Sequence, residues 1–332
     1  MQKKKVLVIG GAGYVGSVLV PKLLALDYEV DVFDTFWFGW TLPHHDKLLV
    51  HPFDMRKKNY LKEAVQNADV VVHLACISND PSFDLDPKLG KSINLDAFLS
   101  LVNVVRESKQ KNGNPNLFVY ASSSSVYGIK EEENVTEDLE LEPLTDYSKY
   151  KVLCELALKY SLPASLVPWV VIRPATVCGW SPRLRLDLAV NILTAHAYFN
   201  RKIKVFGGAQ KRPNLHIDDM TDLYVELIQK SDARVFGECF NAGWENFTLM
   251  EIAHMVKSVV GSDVEIEVVP TNDNRSYHVS SAKIKRLFGW EPQKTIKDAV
   301  RDMVKAFEKG LVVDMNNPAY HNIKTMQKLN VF

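Results

Sequence analysis

Short apolar runs, rich in β-branched residues, recur through the first half of the chain, at residues 6–9, 29–33, 48–53, 70–74, 117–121 and 169–173. Their length suits strands, and the unbroken ones suit strands buried on both faces of a parallel sheet. Between them lie stretches with helical spacing, at 17–26, 60–67, 89–109 and 147–160. Strand and helix alternate, which predicts an α/β fold with a doubly wound parallel sheet. After Arg173 the rhythm breaks. A Pro-, Gly- and Arg-rich stretch, "RPATVCGWSPRLRLD", is loop-like. A helix at 188–200, a strand pair at 203–206 and 214–217, and a helix at 220–230 follow. Then come a strand, loop and helix in "FNAGWENFTLMEIAHMVKSVV", a strand at 264–269 and a helix at 294–309. The pattern predicts a sheet domain over residues 1–178, with 208–242 contributing to it. Residues 179–207 and 243–332 are expected to form a smaller, discontinuous lobe.

The first run ends in glycines. In "VLVIGGAGYVGSVLV", Gly10, Gly13 and Gly16 stand three apart between a strand and a helix. Gly10 allows a sharp turn with positive φ. Gly13 removes a side chain where backbone approaches a pyrophosphate, and Gly16 lets the helix pack close to the strand. Tyr14 and Val15 sit in the same turn, where the free N–H groups and helix dipole favour an anion. The second strand ends in Asp34, about 20 residues on, where a carboxylate meets the adenosine ribose hydroxyls. It would repel a 2′-phosphate, and Thr35, Phe36, Trp37 and Phe38 supply no cation behind it. The expected cofactor is therefore NAD, on a Rossmann-type sheet.

Composition narrows the partners. Lys+Arg and Asp+Glu balance at 40 each, so no net field calls for nucleic acid or an acidic membrane. No stretch reaches the roughly 18 apolar residues of a membrane span. Lys3, Lys4 and Lys5 form a basic tip before an apolar run too short for a signal peptide. Cys76, Cys154, Cys178 and Cys239 are scattered without paired spacing. They read as reduced thiols of a cytoplasmic protein, with no metal site expected.

Two further clusters carry chemistry. "YASSSSVYG" puts serines at the C-terminal end of a strand, where open α/β sheets bind ligands. "DYSKYK" puts Tyr147 and Lys151 four apart on one helix face. A phenol with a pKa near 10 is a poor base at neutral pH. A neighbouring ammonium favours the phenolate. A serine hydroxyl on the same substrate oxygen completes a set suited to taking a hydroxyl proton while hydride leaves the same carbon.

With these residues in place, the chain resembles the extended short-chain dehydrogenases/reductases of the NAD-dependent epimerase/dehydratase family. The likeness spans nearly the whole length: "GGAGYVGS", Asp34, "HPFDMR", "VVHLAC", "SSSSVYG", "YSKYK", "RPATVCG", "RPNLHIDDM" and "LFGWEP". The resemblance implies a nucleotide-diphosphate sugar as substrate. It implies Asp54 and Met55 beside the adenine, and Leu74, Ala75 and Cys76 along the cofactor's diphosphate and ribose. It makes Tyr147 the acid/base, with Lys151 holding the nicotinamide ribose and tuning Tyr147. Ser123 is the third member, three positions before Val126, with Ser124 next in line and facing substrate. Arg212 matches a family arginine on the sugar nucleotide's diphosphate, and Arg275 resembles a second. Arg183 and Arg185 join that basic set, since a guanidinium binds phosphate oxygens in pairs. Asn191 is expected to face the same diphosphate, and His216 to be structural. The resemblance also implies a homodimer built on helices 89–109 and 147–160.

There are departures. Ile9 replaces the usual Thr or Ser before the first glycine, and Cys178 stands where Tyr is common. Ser124 and Ser125 occupy the positions of the Asp and Glu that remove water in 4,6-dehydratases. A hydroxyl cannot do that work at neutral pH, which ranks the dehydratase reading low. The leading expectation is NAD-dependent oxidation of a sugar C4 hydroxyl, ending in 4-epimerisation. The alternatives are a nucleotide-sugar 4-dehydrogenase, on hexose or heptose, and a 4-keto reductase, which Asp34 disfavours. A non-catalytic NAD-binding protein ranks last, because Tyr147 and Lys151 are both present.

Overall fold

The computed structural model describes residues 4–132, 134–271 and 278–331. The chain opens with β1 (Lys5–Ile9), α1 (Gly16–Ala25), β2 (Glu29–Phe33), β3 (Leu48–His51), α2 (Lys58–Gln66) and β4 (Val70–His73). Two short helices, α3 (Asp80–Phe83) and α4 (Pro87–Lys91), lead into α5 (Ala97–Asn112) and β5 (Leu117–Ala121). Then come α6 (Asp146–Ser161), β6 (Trp169–Pro174), β7 (Thr176–Cys178), α7 (Ala189–Asn200), β8 (Lys202–Phe206), β9 (Lys211–His216) and α8 (Ile217–Lys230). The chain closes with β10 (Glu238–Ala242), β11 (Glu245–Thr248), α9 (Leu249–Val260), β12 (Glu265–Val269), α10 (Ala282–Phe288), α11 (Ile296–Glu308) and α12 (Asn322–Leu329).

Seven strands form one parallel sheet in the order β10-β6-β5-β4-β1-β2-β3. Strand β4 is buried at every position, and β1 at every position after Lys5, as expected of central strands covered on both faces. The order reverses between β1 and β4, and at such a switch point the strand ends splay to leave a crevice. Helices α1 and α8 pack together on one face, and α2, α5 and α6 cover the other. Gly10 takes φ +87°, and a Cβ there would fall 2.5 Å from the Ala75 nitrogen. A Cβ on Gly16 would fall 2.6 Å from the Gly11 backbone. The first and third glycines are thus required by turn and packing, whatever binds between them.

Four expectations are corrected. The single helix expected at 89–109 is α4, a π-helical turn at Ser92–Asp96, and α5. The extra residue turns Asn94 inward, where its amide holds both the N–H and the carbonyl of Ile77. The segments at 203–206 and 214–217 do not pair. Strand β8 pairs with β12, and β9 lies between β7 and β11. Helix α8 starts three residues before the expected 220, because the His216 ring accepts the Asp218 N–H and caps it. The stretch 243–332 does not all belong to the smaller lobe. Ile284, Phe288 and Trp290 pack on one face of the main sheet, and Met326 packs on the other, since their apolar surface finds cover there.

Candidate active site

A cavity of about 600 Å³ opens along the C-terminal ends of β1, β2, β4, β5 and β6. That volume suits a small-molecule or cofactor site. The glycine turn forms one end: Gly10, Gly13, Tyr14, Val15 and Gly16 all line it. The Ser17, Val18 and Leu19 N–H groups donate to the Gly13 and Val15 carbonyls, so the place for an anion is the glycine turn just before them, at the positive end of α1. Asp34 lines the cavity beside the turn. One carboxylate oxygen accepts the Ala12 N–H at 2.9 Å, and the other accepts the Phe36 N–H at 2.8 Å. These bonds fix the carboxylate against the turn. Burial pushes the Asp34 carboxyl up, against the pull of the backbone donors and of Arg183. Asp54 and Met55 line the wall beyond, and Leu74, Ala75 and Cys76 line the stretch after β4.

The serines and Tyr147 line the same cavity. Ser123 opens a one-turn helix, Ser124–Tyr127, and its hydroxyl accepts the Ser125 N–H at 3.1 Å and the Ser125 hydroxyl at 2.9 Å. Ser123, Ser124 and Ser125 all reach the cavity. Tyr147 lies in the first turn of α6, whose start is fixed by a Thr145–Ser148 capping box. Burial raises the Tyr147 phenol well above its ordinary value, and the charge of Cys76 adds to this. A hydrogen bond with Ser123, then the charge of Arg185, pull the other way. Lys151 does not line the cavity. Its Nζ donates to the Ala121 carbonyl at 2.6 Å and lies 5.8 Å from the centre of the Tyr147 ring. Arg185 is a cation whose charge pulls on the Tyr147 phenol, and the Lys151 ammonium stands over the same ring without reaching the cavity.

The basic set divides. Arg212, on β9, lines the cavity. Arg185 lines it near Tyr147, clamped by Asp187 at 2.9 and 3.2 Å. Arg183 lines it near the glycine turn. Asn191 does not reach it. That side chain is wholly buried, accepting the Gly179 N–H at 3.0 Å and donating to the Tyr14 hydroxyl at 3.0 Å and the Arg185 carbonyl at 2.9 Å. Its amide therefore braces the turn rather than facing a diphosphate. Arg275 lies outside the described residues.

Several lining residues had no motif to announce them. Asp80 accepts the Thr145 hydroxyl at 2.6 Å, and its charge bears on Tyr147. Asn79, at φ +72°, donates to Asp187 at 3.2 Å. Asn322 enters from α12 at the far end of the chain. Only Asp187 left a trace in sequence, as the carboxylate two residues after Arg185.

Comparison with known proteins agrees with this architecture. The family model described as NAD dependent epimerase/dehydratase matches residues 6–243. A UDP-glucose 4-epimerase of Lactobacillus helveticus is 25% identical over 87% of this chain and 92% of its own. UDP-glucuronic acid decarboxylase 1 of Arabidopsis thaliana is 25% identical over 94% of this chain and 71% of its own. Among solved structures, the UDP-glucose 4-epimerase of Thermotoga maritima with UDP-glucose superposes with a TM-score of 0.83 at 22% identity, covering 93% of this chain and 100% of that one. The UDP-glucuronic acid 4-epimerase of Bacillus cereus, solved with UDP-glucuronic acid and NAD, gives 0.80 at 23% identity, covering 92% and 99%. No helix among the described residues is long and apolar enough to cross a membrane. With its matched span holding the glycine turn, Asp34, the serine loop and Tyr147, the chain belongs to the NAD-dependent epimerase/dehydratase family.

Proposed function

We propose that this protein is an NAD-dependent nucleotide-sugar 4-epimerase, oxidising and then reducing the sugar at C4. The observation that carries the reading is the placing of Ser123 and Tyr147 in one cavity with the glycine turn and Asp34. NAD held there would supply a hydride acceptor that can return the hydride. Asp34 would hold its adenosine ribose, with Asp54 and Met55 beside the adenine. Tyr147 would take the C4 hydroxyl proton as the C4–H bond breaks, and give it back when the ketone is reduced. Ser123 would hold the C4 oxygen, and Ser124 a neighbouring sugar hydroxyl. Arg212 would meet the sugar nucleotide's diphosphate. Lys151, bonded to Ala121 and set back from the cavity, would fix the end of β5 behind the nicotinamide rather than hold its ribose directly.

One observation favours a second reading within the same first step. Arg185 places a cation beside Tyr147, where a carboxylate on C5 would be paired. Oxidation at C4 of such a sugar gives a β-keto acid, which loses carbon dioxide readily. The Arabidopsis relative is named as a decarboxylase of UDP-glucuronic acid.

The test is to identify the nucleotide released from purified protein, then supply UDP-, GDP-, CDP- and dTDP-sugars, UDP-glucuronic acid included. A C4 epimer without net reduced cofactor is the expected outcome. Net NADH would mean a dehydrogenase, and a pentose product a decarboxylase. Absence of NAD from the protein, with no binding when it is added, would overturn the reading.

A further inference from the structure

Arg183 is 3% exposed, yet its Nε and Nη1 have no hydrogen-bonding partner among the described residues. The rest of the side chain is firmly held. Its Nη2 donates to the Asn322 side-chain oxygen, and its guanidinium carbon lies 3.8 Å from the centre of the Phe38 ring. Asn322, itself buried, donates in turn to the Ser78 hydroxyl at 3.0 Å. A buried guanidinium with idle donors is costly unless an anion completes it. Burial and the neighbouring charge of Arg185 together bring the Arg183 pKa down to about 9, as expected of a cation short of a partner.

The backbone around Arg183 tells which anion. Its N–H donates to the Ser17 hydroxyl, in the first turn of α1, at 3.4 Å. Two residues earlier, Ser181 Oγ donates to the Tyr14 carbonyl at 2.7 Å and lies 2.8 Å from Ser17 Oγ. The loop is thus stitched to the glycine turn, and the Arg183 charge is felt at both Tyr14 and Asp34. Arg212 and Arg185 enter from elsewhere, with Arg185 turned toward Tyr147.

We infer that Arg183, pinned by Asn322 of the C-terminal helix, binds the diphosphate of the dinucleotide and not that of the sugar nucleotide, so that α12 acts as a clasp retaining the cofactor. This rests on the proposed NAD site. It replaces the substrate role expected of Arg183 from sequence. In this arrangement the two idle nitrogens of Arg183 and the N-terminus of α1 meet the same diphosphate. The link from Asn322 to Ser78 ties the last helix to the wall of the cavity.

The test compares the full-length parent with Arg183→Met, Arg183→Lys and Asn322→Ala. Calorimetry on nucleotide-stripped protein reads the affinity for NAD, ADP-ribose, AMP and UDP. Molar NAD content after purification reads retention. Arg183→Met is expected to weaken NAD and ADP-ribose about tenfold or more. AMP, which lacks the diphosphate, should change less, and UDP should stay within about twofold. Arg183→Lys should recover part of the loss. Asn322→Ala should lower the NAD content while its melting temperature without nucleotide stays near the parent's. Unchanged NAD affinity in both Arg183 variants would overturn the inference, as would loss of UDP binding alone. If the parent itself neither holds nor binds NAD, the proposed function falls as well. If the parent binds NAD and the variants match it, only the clasp falls.

Discussion

Glu155 and Arg173 form a buried two-pronged ion pair beneath the serine loop, with the closest approach at 2.6 Å. Glu155 also accepts the Ser122 hydroxyl, and Arg173 donates to the Tyr127 hydroxyl at 2.8 Å, which donates to Asn241 at 2.7 Å. The network joins α6, β6, β10 and both ends of the loop that carries Ser123. Removing one partner leaves a buried charge unpaired, which costs about 3–5 kcal/mol. Arg173→Met should lower stability by that order in denaturant titration. Replacing both partners, as Arg173→Met with Glu155→Leu, should cost less than the single change. A double variant as unstable as the sum of the singles would show that the pair does not act as a unit.

Tyr147→Phe keeps the ring and removes the proton carrier. Turnover should fall by about 10²–10⁴-fold with bound nucleotide unchanged. Ser123→Ala should cost about 10²-fold, the effect of removing one donor to a reacting oxygen. A Tyr147→Phe enzyme within a few fold of the parent would remove Tyr147 from the proposed mechanism.

Much of this arrangement was legible in the chain because it follows local rules. Val6–Ile9 reads as a buried strand, and Gly10 and Gly16 are required by a turn and a close approach that backbone geometry imposes. Strand-end position marks the serines, and helix spacing marks Tyr147 with Lys151. What the local pattern does not encode depends on contacts between distant segments. Asn322 meets Arg183 across 139 positions, and no periodicity encodes that. Asn191 carries the right chemistry for a diphosphate, yet Tyr14, Gly179 and Arg185 claim its amide. The π-helical turn at Ser92–Asp96 leaves the apolar spacing nearly intact, so the stretch reads as one helix.

Arg185 supports the Tyr147 phenolate, so its loss has a definite sign in the pH profile. Removing the cation leaves the Asp187 charge without its guanidinium clamp, and both changes raise the Tyr147 pKa further. In Arg185→Met, the rise of kcat/KM with pH should shift to higher pH, and the deficit should be largest at neutral pH. A uniform loss across all pH values would mean that Arg185 binds substrate without tuning Tyr147.

Helix α6 exposes Leu153, Leu156 and Tyr160 on one face, and Leu99 is exposed on α5, which packs beside it. Such a stripe is suited to a second copy of the chain. The parent should run as a homodimer in light scattering, and Leu153→Glu with Leu156→Glu should run as a monomer with little change in helix content. A parent that stays monomeric at high concentration would overturn the homodimer that the family resemblance implies.

His73 ends β4, 2% exposed, with neither ring nitrogen bonded among the described residues. Burial, helped by the Lys151 charge, pushes its pKa down to about 3 from the ordinary 6.5. The folded protein therefore keeps the ring neutral while the unfolded chain protonates below 6.5. Between those values the unfolded state binds the extra proton, so stability falls as pH falls. The slope approaches about 1.4 kcal/mol per pH unit for this group. Above pH 6.5 His73 contributes no slope. His73→Phe places another ring against Phe98 and Tyr120, which flank the histidine at 5.2 and 5.7 Å. That variant should flatten the acid limb of a stability curve between pH 6 and pH 4, leaving the neutral region to report only its packing cost. An acid limb identical in parent and variant would assign the acid sensitivity to other groups. It would also mean that the buried imidazole finds a proton partner in solution.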